Sequence, residues 1–209
     1  GHFFDVEPYK TYKDYFNVYA VISMSDESGI GTVNTIKDIK FNTYFSQNRL
    51  NTPNTADCFA WASKANPSLD VTKSLTILLM NTSTYEGVTV MGFDNSAVAV
   101  CPVSREPYPY DFRGIIQHEA GGHGFGKLGD EYIYHNAFVQ TCSCCCCDNP
   151  RSEDDMNSGY GKAKSVGWYK NLSMKANTSL VPWAHLIYNP DYSDYVDMFE
   201  GGYMHSRGV

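Results

Sequence analysis

The sequence predicts one α/β (α+β) domain, a mixed sheet with a long helix laid against it. Three observations predict it. Short apolar runs rich in β-branched residues recur at 16–23, 75–80, 88–91 and 97–100, each bounded by turn-forming residues. A helical stretch at 55–65 separates the first run from the others and stops before Pro67. After the last run, Asp111-Phe112-Arg113-Gly114-Ile115-Ile116-Gln117 reads as an Asp-capped helix start whose apolar stripe leads into His118.

Each element can be justified in order. Residues 2–12 read as helical. Phe16-Asn17-Val18-Tyr19-Ala20-Val21-Ile22-Ser23 reads as the first strand. The stretch 26–54 is rich in Asn, Thr, Gly and Ser and predicts a long loop, with a short strand near 41–45. Leu75–Met80 has the continuous apolar character of a buried central strand. Val88–Met91 and Ala97–Val100 form a hairpin about Asp94-Asn95-Ser96. Beyond the histidines the chain is irregular, with a final helix expected near 191–199.

Composition narrows the function. A chain of 209 residues can bury a sizeable core in one domain spanning 1–209. A formal charge of −7 argues against nucleic acid or an anionic membrane as the main partner. The run 75–80 is far too short to span a bilayer. The chain opens mid-element and stops without a closing element, so a fragment of a longer protein is expected. Nothing in the residues fixes an oligomeric state.

The chemistry is concentrated in Gln117-His118-Glu119-Ala120-Gly121-Gly122-His123, running on to Gly129-Asp130-Glu131-Tyr132. Two imidazoles, a carboxylate between them and an acidic pair shortly after form the inventory of a catalytic zinc site: protein ligands, an open position for water, and a base. The usual zincin spacing puts its histidines at i and i+4. Here they are at i and i+5, which on a regular helix is ~500° around, about 140° off the shared face. A π-type turn would restore the alignment, and Gly121 and Gly122 lie where the backbone would accommodate it. Gly124, Gly126 and Gly129 can fold the chain back and carry Asp130 to the metal.

The run 118–132 resembles the zinc motif of the IgA-peptidase family of bacterial metallopeptidases. Phe3–Tyr9 through Tyr15–Tyr19, Glu27-Ser28-Gly29 and Phe199-Glu200-Gly201-Gly202-Tyr203 are similar to that family too, so the resemblance covers most of the chain. Dipeptidyl peptidase III enzymes share a His-Glu-x-x-Gly-His zinc helix. The resemblance implies a metzincin-like core in a secreted, cell-surface or periplasmic bacterial zinc endopeptidase acting on extracellular proteins or glycoproteins. It implies Zn²⁺ held by His118, His123 and Asp130, with Glu131 the alternative third ligand. Glu119 would be the general base toward a metal-activated water. Tyr203, in the Glu-Gly-Gly-Tyr stretch, is a candidate oxyanion donor and equally reads as a packed tyrosine. Met204 is the late candidate for the Met-containing turn of such enzymes. An edge strand beside the zinc helix would hold a peptide by strand addition.

Seven cysteines divide into isolated Cys58 and Cys101 and a dense group, Cys142 and Cys144–Cys147. That group reads as disulfides or mixed thiols rather than a second metal site, since neighbouring side chains point apart. Asp191, Asp194, Asp197 and Glu200 read as a solvated helix face, with calcium the lesser reading. Asn81, Asn171 and Asn177 head glycosylation sequons. The rival function is a non-catalytic, zinc-stabilised surface module for glycans or glycoproteins. A purely structural site would close its fourth position, with a Cys from 142–147, and has no use for Glu119.

Overall fold

The computed structural model describes residues 1–46, 49–51, 53–130, 160–173, 177–194, 196, 198–200 and 206–208. The chain divides into two compact units, Gly1–Gly126 and Lys127–Val209, and each is described by itself.

The first unit opens with a 3₁₀ helix, His2–Asp5, and a short helix α1, Tyr9–Tyr12. The expected single helix over 2–12 is thus broken: Val6 is extended and Pro8, which has no N–H to give, caps α1. Phe3, Phe4, Tyr9 and Phe16 pack edge-to-face and tilted, with ring centroids 4.4 to 6.5 Å apart.

The strand expected at 16–23 is absent: the segment joins no β-ladder among the described residues. Phe16 is drawn into the aromatic group, while Val18, Tyr19 and Ile22 are exposed. β-propensity measures the fit of side chains to a half-buried surface, and here no such surface is offered to them.

The long 26–54 stretch contains a small sheet. Strands β1 (Gly31–Thr32), β2 (Tyr44–Ser46) and β3 (Arg49–Leu50) lie in that order. Helix α2, Thr55–Ala62, follows; the Asn54 side chain accepts from the Ala56 N–H as its N-cap.

The main sheet has β4 (Leu75–Met80), β5 (Val88–Met91) and β6 (Ala97–Pro102) in the order β4-β6-β5. β4 runs parallel to β6, with Leu75 opposite Ala97. β5 runs antiparallel to β6, with Val88 opposite Val100. The hairpin is the expected one: Asn95 takes a φ of 75° and Asp94 Oδ1 accepts from the Ser96 N–H and hydroxyl. The expectation that Leu75–Met80 is central is corrected. Among the described residues β6 is central and β4 lies at an edge, with Leu79 55% exposed.

Strand alternation builds two cores. Ala99 and Cys101, with Leu75 and Ile77, face Ile115, Ile116 and Ala120. Val98, Val100, Leu78, Met80 and Val88 face Cys58 and Phe59 of α2. Burial on both sides explains why β6 reads as an unbroken apolar run.

In the second unit, strands β7 (Leu172–Ser173), β8 (Met198–Glu200) and β9 (Ser206–Gly208) pair antiparallel in the order β7-β9-β8. Among the described residues, the helix expected near 191–199 is replaced by turns through 190–194 and by β8, so Asp191 and Asp194 do not lie on the expected helix face; Asp197 lies outside the described residues. Asn189 Oδ1 accepts from the Asp191 N–H and seeds the turn.

Candidate metal and catalytic site

Asp111 starts the site helix as expected, its Oδ1 accepting from the Gly114 N–H at 2.9 Å. After one α-helical turn, α3 (Phe112–Ile115), the backbone becomes a π-helix over Ile116–Phe125. The expected single distorted turn is therefore a ten-residue element. The Gly126 N–H donates to the Gly121 carbonyl, five residues back, at 2.9 Å. That period brings His118 and His123 together: their Nε2 atoms are 3.1 Å apart, and the rings meet edge to face at 4.6 Å. Gly124 lets the helix lie close on the sheet, since a Cβ there would stand 2.5 Å from Leu75 Cδ1.

His118, His123 and Asp130 each offer one donor atom, and these atoms all lie within 4.8 Å of one another. Two imidazoles and a carboxylate suit a divalent transition ion. Two nitrogens each ~2.0–2.1 Å from one tetrahedral ion would be about 3.3 Å apart, close to the separation of the two histidines. The residues therefore fit a metal. Glu131, the alternative ligand, lies outside the described residues.

Within the second unit, the loop leading to Asp130 is tied down by its own neighbours. The Gly129 N–H donates to Asn171 Oδ1 at 2.9 Å, and Asn171 Nδ2 donates to the Gly129 carbonyl at 2.8 Å. The Tyr169 N–H donates to the Lys127 carbonyl at 2.7 Å. Asn171 was legible only as the head of a sequon.

Glu119 does not belong to the metal-ligand cluster. Its side chain is 7% exposed and lies against β5. The Thr89 hydroxyl lies 2.8 Å from Glu119 Oε2 and 2.8 Å from the Glu119 carbonyl oxygen. Burial raises the pKa of the Glu86 carboxyl; Arg49 opposes the shift and the charge of Glu119 adds to it. Burial, and then the charge of Glu119, raises the Cys101 thiol. From the other side, the Tyr9 hydroxyl donates to the Gly121 carbonyl at 2.7 Å, and burial raises its phenol.

Sequence reading missed Thr89, Gly87, Tyr9 and Asn171 as parts of this region. The one available signal was Thr89, a polar residue at an inward position of an otherwise apolar strand. Tyr203, Met204 and the cysteines at 142–147 lie outside the described residues. No helix among the described residues is long and apolar enough to cross a membrane.

Neither the curated proteins nor the solved structures contain a match to this chain. The family model described as IgA Peptidase M64 matches residues 1–143, which takes in the β4-β6-β5 sheet, the π-helix, both histidines and Asp130. That span is more than half of the 209 residues, and the chain belongs to the IgA Peptidase M64 family.

Proposed function

We propose that the protein is a zinc-dependent endopeptidase that hydrolyses extracellular proteins or glycoproteins, working at a bacterial surface, in the periplasm or after secretion. Its core is read as metzincin-like. The observation that carries this reading is the meeting of His118 and His123 on a π-helix, with Asp130 in reach and a buried carboxylate, Glu119, between the histidines in sequence.

His118, His123 and Asp130 would hold the ion, with Glu131 the alternative to Asp130. When bound, zinc supplies Lewis acidity, lowering the pKa of water to about 7 and polarising a carbonyl. Glu119 accepts the proton of the attacking water and returns it to the leaving amine. Tyr203 is the proposed donor to the developing oxyanion. The outer edge of β5 bears no strand among the described residues, so an extended peptide can pair with it beside Glu119.

The test is metal analysis of the full-length protein together with cleavage of an unstructured protein, with and without chelator. Bound zinc with chelator-sensitive cleavage is expected. Bound zinc without cleavage would replace this reading with the non-catalytic surface module. Cleavage that persists after complete metal removal would contradict it outright.

A further inference from the structure

We infer that Thr89 is a positioning residue for the Glu119 carboxylate, acting with the bare backbone of Gly87, the residue just before β5. The inference rests on the peptidase reading for its kinetic consequence, though not for its geometry.

Thr89 stands opposite Ala99 in the β5–β6 register, and Ala99 faces the site helix. A threonine there puts a hydroxyl into an otherwise apolar face. A buried hydroxyl is tolerated when it is hydrogen-bonded. Its oxygen is 2.8 Å from Glu119 Oε2 and 2.8 Å from the Glu119 carbonyl oxygen, two acceptors between which its single proton is shared, so the hydroxyl holds the carboxylate close to the helix turn that carries it. Thr89 is itself buried. β-branching restricts its χ1, which makes it a stiffer support than serine.

Gly87 completes the seat. A Cβ at that position would lie 2.7 Å from Glu119 Cγ and 2.7 Å from Oε1. No side chain larger than glycine leaves the carboxylate where it is. The seat is thus a hydroxyl for one oxygen and a space for the other, two residues apart, the first within β5 and the second just before it. Positioning of this kind matters because a reacting group displaced by ~1 Å can lose about 10²-fold in rate.

The test uses the full-length, zinc-loaded protein and Thr89→Val, which keeps the shape and removes the hydroxyl. Thr89→Ala replaces it if the valine variant does not fold. Zinc content should be unchanged, kcat should fall about 10–100-fold with KM little altered, and Thr89→Ser should recover most of the loss. A crystal structure of the variant should show the Glu119 carboxylate moved off β5. Gly87→Ala should give the same displacement by collision. An unmoved carboxylate in the variant crystal would overturn the inference whatever the activity. So would wild-type kcat in Thr89→Val, or a serine variant as slow as the valine one. A wild-type protein that binds zinc and cleaves nothing would sink the peptidase reading instead, and the crystal comparison would still decide the position of Glu119.

Discussion

His118 Nε2 and His123 Nε2 lie 3.1 Å apart although an α-helix would point them about 140° away from each other. The π-helix over Ile116–Phe125 resolves that conflict, and the Gly121 carbonyl is its anchor, accepting from the Gly126 N–H and from the Tyr9 hydroxyl. A longer spacing between the two histidines is thereby reconciled with their convergence by a change of helical period.

Glu119→Gln should keep the fold and the bound metal but lose roughly 10²–10⁴-fold in peptide hydrolysis. The amide is close in shape and can still accept from the Thr89 hydroxyl, but it cannot take a proton at neutral pH. Single-turnover assays on the metal-loaded, full-length protein check this. Unchanged turnover would remove Glu119 from the mechanism.

Gly124→Val should destabilise the protein by about 1–3 kcal/mol in urea unfolding. Its side chain would run into Leu75 Cδ1 and force the π-helix away from β4. A variant as stable as the wild type would show that the close approach of helix to sheet is unnecessary.

Asn171→Ala should destabilise the protein by about 1–3 kcal/mol in urea unfolding. Both polar atoms of its amide are bonded to the Gly129 backbone. A variant as stable as the wild type would rule out a stabilising clamp there.

Burial, and then the Asp57 charge, push the Cys58 thiol up from 9.0 to about 11. The folded value is the higher one, so this contribution to stability is complete below pH 9 and is lost as pH rises toward and past 11. Cys58→Ala should therefore lose less stability across that window than the wild type, although Cys101 still contributes in the same direction. Parallel alkaline limbs for the two proteins in urea melts at stepped pH would contradict this.

Several parts of the site were legible because local chemistry determines them. The Asp111 cap, the hairpin at Asp94-Asn95-Ser96 and the need for a π-type helix all follow from residue types and spacing within a few positions. What escaped was decided by distant partners. Whether 16–23 pairs as a strand depends on a surface offered from elsewhere, and Phe16 alone finds one in the aromatic group. That β4 is an edge strand depends on the crossover that sets β6 between its neighbours. Thr89 and Glu119 meet across 30 residues, and Asn171 and Gly129 across 42, separations no local pattern encodes.

The central claim is that His118, His123 and Asp130 share one zinc ion. Anomalous diffraction at the zinc edge, on crystals of zinc-replete protein, tests it most directly. The account predicts one peak per chain, ~2.0–2.1 Å from a nitrogen of each histidine and ~2.0–2.2 Å from an Asp130 oxygen. Zinc-replete crystals with no peak between His118 and His123, or with the peak held by other residues, would contradict it.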